Sequence, residues 1–252
     1  MIGWGATGTE VCSVSRLRCW ILKQARDEFV KRLGTSGARI ESENILEGAP
    51  WLDQIAELWT PITIAGISVM PIRSREEKFD RAAIAIIPGT GFGTGHHATT
   101  FLAGEFLRHS SISARPPKTV LDFGTGSGIL ALLCARLFAC EISAIDNDPL
   151  ALHNARQNLE INGYAQRIEL CMESIEALRQ HFDLIVANIY ADLLIPLQHE
   201  LVRCVNPGGH LILSGIPATA AAAVEQCYCA AGYQLIAAAT KDGWSSQLFE
   251  VC

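Results

Sequence analysis

The residues Val120-Leu121-Asp122-Phe123-Gly124-Thr125-Gly126-Ser127-Gly128 read as an apolar strand that ends in a tight glycine turn and feeds a helix. Glycines in such a turn let a ligand approach the backbone closely, and the carboxyl end of a strand is where α/β sheets bind nucleotides. Spacing and charge decide which nucleotide. A dinucleotide fingerprint runs Gly-x-Gly-x-x-Gly and holds a pyrophosphate at a helix N-terminus. Here the glycines run Gly-x-Gly-x-Gly, and Asp122 stands two residues before the first. A carboxylate in that place repels a pyrophosphate and favours a ligand carrying positive charge. S-Adenosylmethionine, with its ammonium and sulfonium, is such a ligand. Asp146 closes the next expected strand, 24 residues after Asp122, where a carboxylate can accept both ribose hydroxyl protons. Asp122, Gly124, Gly126 and Asp146 are therefore candidate contacts for S-adenosylmethionine. A nicotinamide or flavin enzyme and a non-catalytic domain are the alternatives.

Other chemistry-bearing residues suggest less. Adjacent His96 and His97 cannot easily direct two imidazoles at one ion, and no third ligand is placed by sequence, so no metal is expected. The nine cysteines include no Cys-x-x-Cys pair and read as reduced thiols, several of them in apolar stretches.

Composition narrows the class. A chain of 252 residues with a hydrophobic fraction of 49% and a charged fraction of 18% is a packed globular protein, not a disordered or fibrous one. No apolar run reaches the roughly 18 residues of a membrane span. The N-terminal Met1-Ile2-Gly3-Trp4-Gly5 carries no secretory pattern, which makes the cytoplasm the expected compartment. The residues before Pro88 hold 11 Lys/Arg and 11 Asp/Glu, and the rest hold 9 and 15, so the net charge of −6 sits in the C-terminal part. That balance disfavours direct nucleic-acid binding and suits a basic protein substrate.

The elements that must position these residues follow a regular pattern after Pro117. Strands are expected at 119–122, 141–146, 167–171, 182–187 and 210–214, with helices at 129–138, 149–162 and 191–205. The strands are nearly continuously apolar, as in a parallel sheet covered on both faces. Two last strands, 234–240 and 245–251, are joined by a connection short enough only for an antiparallel hairpin. The expected fold is α/β: a Rossmann-like, doubly wound, mainly parallel seven-stranded sheet with one antiparallel strand. Before it, Ser15 to Leu33 reads as a basic helix ended by Gly34, a solvated face or a docking surface, with a short strand near 38–40. A helical turn near Trp59, two strands at 61–64 and 67–70 and a strand at 82–87 form an ordered connector. The domains are thus 1–50, a small N-terminal α/β appendage; 51–84, the connector; and 85–252, the catalytic domain.

Three further segments carry a resemblance: Pro88-Gly89-Thr90-Gly91-Phe92-Gly93-Thr94-Gly95-His96-His97-Ala98-Thr99-Thr100, Val186-Ala187-Asn188-Ile189, and Pro207 to Ile216 with its Gly208-Gly209 pair. Together with the glycine turn they resemble the ribosomal protein L11 methyltransferase family (PrmA), over essentially everything from Trp51 onward. The resemblance implies transfer of methyl groups from S-adenosylmethionine to lysine side chains and the N-terminal amine of a large-subunit ribosomal protein. It also places cofactor contacts on Thr100, Gly124, Asp146 and Asn188, with Thr100 at the methionine end. Asn188, at the tip of the fourth strand, is the candidate catalytic residue, accepting a hydrogen bond from the incoming amine together with the backbone near Ile189. Phe92 is expected to stack on or wall off the adenosine, and Tyr190 to form a wall. The fifty residues before Trp51 are expected to be a shortened substrate-recognition region. The competing readings are the same chemistry on RNA, another protein or a small molecule, and a non-enzymatic adaptor.

Overall fold

A computed structural model of the chain describes residues 6–13, 16–21, 60–89 and 95–251. The chain divides into two compact units, residues 1–55 and 56–252. In the first, β1 (Ala6–Ser13) and β2 (Arg16–Ile21) pair antiparallel. The helix expected over 15–33 is therefore a strand over 16–21. Arg16-Leu17-Arg18-Cys19-Trp20 alternates polar and apolar residues, a period-two pattern that fits a strand better than a helix. Residues 22–33, the strand expected near 38–40 and the helical turn before Thr60 lie outside the described residues.

The second unit begins with a three-stranded sheet. β3 (Ile62–Ile64) and β4 (Ile67–Pro71) form a hairpin about Ala65-Gly66, whose positive φ values of 52° and 74° give the tight turn that right-twisted strands favour. β5 (Ile84–Ile86) lies parallel to β4 at the edge.

The remaining chain winds α1 (Ala98–Phe106), α2 (Ser110–Ala114), β6 (Thr119–Phe123), α3 (Ile129–Leu137), β7 (Glu141–Ile145), α4 (Pro149–Asn162), β8 (Ile168–Cys171) and β9 (Phe182–Asn188). Then come α5 (Ala191–Leu194), α6 (Gln198–Arg203), β10 (Val205–Pro217), α7 (Ala221–Ala230), β11 (Tyr233–Lys241) and β12 (Trp244–Val251). The seven-stranded sheet has the order β11-β12-β10-β9-β6-β7-β8, and only β12 runs antiparallel to its neighbours. The expected doubly wound architecture is thus the observed one.

Apolar residues on both faces of each strand make this double winding stable, because each must be removed from water on its own side. Val120, Leu184, Val186 and Ile212 face a layer formed by the three-stranded sheet and α1 to α4. Their sequence neighbours Leu121, Ile185, Leu211 and Leu213 face α5 to α7.

Three local departures have physical causes. The helix expected over 191–205 is split into α5 and α6 around Pro196, which has no N–H to continue the helical ladder. Residues 206–209, ahead of the strand expected over 210–214, are part of β10, whose register with β9 shifts between Val205 and His210. Helices α1, α2 and α7 were not expected at all; the strand-and-helix pattern alone does not separate their mixed small and polar residues from loop.

Candidate functional site

In the sheet, β7 and β8 lie to one side of β6, and β9, β10, β12 and β11 to the other. The chain reverses direction of winding between β6 and β9, and the crevice above such a switch point is where open α/β sheets bind ligands. The loop that leaves β6 carries the glycine turn, and β9 ends on Asn188.

The glycine turn is built to be tight. Gly124, Gly126 and Gly128 take positive φ of 73°, 56° and 81°, which side-chain-bearing residues adopt only under strain. A Cβ on Gly124 would stand 2.5 Å from Ile189 Cγ2, and one on Gly215 of β10 would collide with the Ile189 backbone. Two glycines from different loops therefore make room for the residue that follows Asn188.

The N–H groups of this turn point inward. Gly124 and Thr125 both donate to the Ile145 carbonyl, at 2.9 and 3.0 Å, Gly128 donates to Thr125 O at 2.9 Å, and Gly126 donates to Asp146 Oδ2 at 2.9 Å. A pyrophosphate cradle needs such groups aimed at the ligand. Here they are occupied, and what the turn retains is carbonyl and carboxylate oxygen. The donor set thus fits an ammonium and a sulfonium, as in S-adenosylmethionine, and not a dinucleotide phosphate.

Asp146 sits half-buried at the end of β7 and also accepts from Asp148 N at 3.0 Å. Two hydrogen bonds leave its carboxylate with lone pairs for ribose hydroxyls. Asp122 is placed differently. It is 1% exposed, and its Oδ2 accepts from Thr125 Oγ1 at 2.7 Å and from Ala131 N at 3.0 Å. Burial, reinforced by the nearby charge of Asp146, pushes its pKa up to about 6 against the pull of those two hydrogen bonds. The structure therefore sets Asp122 behind the turn, tying the turn to the first residues of α3, whereas the sequence suggested direct ligand contact.

Thr100 is likewise withdrawn. It is fully buried, and its hydroxyl accepts from Asn188 Nδ2 at 3.2 Å. That bond turns the Asn188 amide so that Oδ1 is the free end, and Oδ1 is buried with no hydrogen-bond partner among the described residues. The N-terminus of α1 that carries Thr100 is held firmly. His97 caps it through Nδ1, near Thr99 N and Oγ1, its ring meets Trp244 edge-on at 5.0 Å, and Ser214 Oγ donates to Thr99 O at 2.8 Å. His96 Nε2 lies 3.0 Å from Thr60 O. Among the described residues no group of three or more His, Cys, Asp or Glu could hold a metal ion, and no helix is long and apolar enough to cross a membrane. Phe92 lies outside the described residues.

Beside Asn188, Leu193 on α5 and its flanking residues Tyr190 and Ile195 are exposed. The structure thus brings Gly124, Gly126, Asp146 and Asn188 to one crevice, with Thr100 and Asp122 supporting them. A cleft of about 610 Å³ lies elsewhere, at the opposite ends of β6 to β9, lined by residues such as Glu141, Arg167 and His181, none of them in this group. Sequence reasoning named the Ile189 backbone only as an acceptor for the amine and missed its close packing against Gly124 and Gly215; it missed Asn158, whose amide Nδ2 donates to the turn at Ser127 O, 2.9 Å away. The signal for Asn158 was present: asparagines recur at 154, 158 and 162, one helical face.

Comparison with known proteins identifies a family. Residues 20–250 match the family model described as ribosomal protein L11 methyltransferase (PrmA). The chain is 36% identical over 209 residues to the ribosomal protein L11 methyltransferase of Desulfotalea psychrophila, covering 81% of this chain and 69% of that protein. It is 41% identical over 183 residues to the one from Sorangium cellulosum, covering 71% and 56%. The matches thus span between about half and two thirds of the length of these relatives. Among solved structures, a ribosomal protein L11 methylase from Lactobacillus delbrueckii subsp. bulgaricus superposes with a TM-score of 0.63 at 31% identity, over 73% of this chain and 93% of that one.

Proposed function

The chain belongs to the ribosomal protein L11 methyltransferase family, S-adenosylmethionine-dependent protein methyltransferases, and from that membership we propose that it methylates lysine side chains and an N-terminal amine of a large-subunit ribosomal protein. The observation that carries the reading is the buried, unpartnered Oδ1 of Asn188 at the switch-point crevice. A buried acceptor without a donor calls for an explanation; Asn154 Oδ1, His210 Nε2 and Gln247 Oε1 share this state elsewhere in the fold, but at the switch point an incoming amine supplies the N–H.

We assign the donor's ribose to Asp146 and its methionine end to the backbone oxygens of the Gly124–Gly126 turn. S-Adenosylmethionine supplies a methyl group on a sulfonium whose positive charge is lost on transfer. The protein's tasks are then alignment and exclusion of water. Asn188 Oδ1 accepts from the amine and fixes its approach, Thr100 holds the amide in that orientation, and exposed Tyr190, just before α5, and Leu193 on α5 form an apolar rim for the chain bearing the amine.

The amine must arrive neutral. With a lysine pKa near 10.4, removing its proton at pH 7 costs about 4.6 kcal/mol. Desolvation against the apolar rim and repulsion from a sulfonium both lower that figure, so the proton can leave to water before the amine enters, and no side chain is assigned as general base. The acidic C-terminal part, with 9 Lys/Arg against 15 Asp/Glu, favours a basic protein over RNA, and a ribosomal substrate places the reaction in the cytoplasm, where ribosomes are made.

The test is incubation of the protein with labelled S-adenosylmethionine and ribosomes from cells lacking this activity, followed by separation of RNA from protein. Label is expected in one large-subunit protein, and label in RNA would overturn the reading. Asn188→Ala should lower turnover about a hundredfold, the size of effect that follows from losing alignment of a reacting group. Wild-type turnover in that variant would remove Asn188 from its role.

A further inference from the structure

β5 ends its sheet, yet its outer edge is not bare. Residues 85 and 87 turn their N–H and C=O groups away from β4, and helix α4 meets them with amides. Asn162 Oδ1 accepts from Ala85 N at 2.9 Å and its Nδ2 donates to Ala85 O at 2.7 Å. One helical turn earlier, Asn158 Oδ1 accepts from Ile87 N at 2.8 Å. Another turn earlier, Asn154 Nδ2 donates to Ile87 O at 3.1 Å, and Gly89 packs so closely on Asn154 that a Cβ there would collide with its amide.

The match has a geometric reason. Four helical residues advance about 6 Å, and two strand residues advance about 6.6 Å. Asparagines at i, i+4 and i+8 therefore keep step with alternate residues of a strand edge and stand in for a missing neighbour strand.

Asn158 differs from Asn162, whose remaining bond stays within α4, from Nδ2 to Asn158 O at 2.7 Å. The Nδ2 of Asn158 also donates to Ser127 O, inside the glycine turn, at 2.9 Å. One fully buried side chain thus joins the strand that leads toward α1 to the turn assigned to the methyl donor. We propose that Asn158 is a positioning residue: it sets the glycine turn relative to β5, so that donor affinity depends on a helix residue that does not line the crevice. This rests on the functional reading above.

Three variants test it: Asn158→Ala, Asn158→Asp and, as control, Asn162→Ala, which removes edge hydrogen bonds without touching the turn. S-Adenosylmethionine affinity is read by calorimetry, and backbone hydrogen exchange is read at residues 124–128. Asn158→Ala should weaken donor binding roughly tenfold, as expected when a buried carbonyl loses its partner, with turnover at saturating donor close to wild type. Asn158→Asp keeps the acceptor for Ile87 N but sets an oxygen against Ser127 O, and should weaken binding at least as much. Asn162→Ala should lower the melting temperature while leaving donor affinity within about twofold. Exchange at 124–128 should rise in both Asn158 variants and not in Asn162→Ala. Equal donor affinity and equal exchange in all three variants would overturn the proposal. A wild-type protein that bound no S-adenosylmethionine would instead overturn the functional reading, and the exchange contrast would still decide the coupling.

Discussion

Asp122 and Asp183 stand on adjacent strands of one sheet, Asp122 near the carboxyl end of β6 and Asp183 near the amino end of β9. Their acidities move in opposite directions. At Asp183 burial works against the charge, but hydrogen bonds from Asn206, Lys118 N and Thr119 N outweigh it and hold the carboxyl below its ordinary value. At Asp122 burial wins, and one carboxylate oxygen has no partner among the described residues. The amino end uses its polar groups to saturate one another: Arg115 donates to Gly208 O, and Thr119 Oγ1 accepts from Asp183 N. The exception there is His210 Nε2, on a ring that burial keeps below its ordinary pKa. The carboxyl end leaves Asp122 Oδ1 and Asn188 Oδ1 unmatched. Buried atoms without a partner among the described residues occur at both ends, and Asn154 Oδ1 and Gln247 Oε1 are two more elsewhere; what distinguishes the site is that two of them gather beside the switch point, a local sacrifice of stability of the kind functional sites make.

The largest expected effect tests that sacrifice. Asp122 keeps its proton in the folded protein up to about pH 6, whereas the unfolded chain releases it near 3.8. The folded state therefore binds more protons between those values, so this group's contribution to stability is full below about pH 4 and is lost as pH rises through 6. The loss amounts to about 3 kcal/mol. Asp183 acts in the opposite sense, stabilising above its unfolded pKa and losing that contribution as pH falls. In Asp122→Asn the first slope disappears: denaturant unfolding of wild type and variant from pH 4 to 7 should give a stability difference that moves by about 3 kcal/mol toward the variant as pH rises. A difference independent of pH would mean that Asp122 is ionised in the fold throughout.

A smaller effect should separate affinity from stability. Asp146→Ala removes a half-buried carboxylate from the crevice and should weaken S-adenosylmethionine binding roughly ten- to hundredfold, since hydrogen bonds to charged groups contribute about 1.5–3 kcal/mol. Loss of the bonds from Gly126 N and Asp148 N should lower its melting temperature as well. Asp183→Ala should act on stability alone, lowering it by about 2 kcal/mol through three lost hydrogen bonds and leaving donor affinity unchanged. Calorimetric titration and thermal unfolding of both variants decide it. If Asp183→Ala weakened donor binding as much as Asp146→Ala, the two ends of the sheet would not be functionally distinct.

Much of this arrangement was legible in residue types. The Gly124–Gly128 turn lies at the end of β6 as its glycines required, α4 occupies the expected span from Pro149 to Asn162, and the β11–β12 hairpin closes over Asp242-Gly243, both at positive φ. Depth was not legible. Thr100 and Asp122 have the chemistry of ligand contacts, but whether a polar residue faces a crevice or supports one depends on packing several strands away, which spacing along the chain does not encode. The basic segment near Arg16 failed for a different reason. Its period-two and helical patterns overlap, and pairing with β1, a tertiary choice, selects the strand. The asparagine ladder was written plainly at 154, 158 and 162, but its partner, a strand edge some seventy residues earlier, is visible only in three dimensions.

The smallest expected effect isolates what a left-handed glycine contributes by itself. Gly163 ends α4 at φ 78°, nearly the backbone of Gly124 at 73°, but a Cβ on Gly163 would meet nothing within 4 Å. Gly163→Ala should therefore lower stability by roughly 1 kcal/mol, the backbone strain of an alanine in that region, and leave S-adenosylmethionine affinity within about twofold. Gly124 carries the same strain and adds a collision with Ile189, the residue next to Asn188. If Gly163→Ala weakened donor binding as well as stability, positive φ anywhere on the chain would reach the crevice. The case for the Gly124 turn as a site would then lose its dependence on what surrounds it, which is the property that separates it from the equally tight ends of α4 and the β11–β12 hairpin.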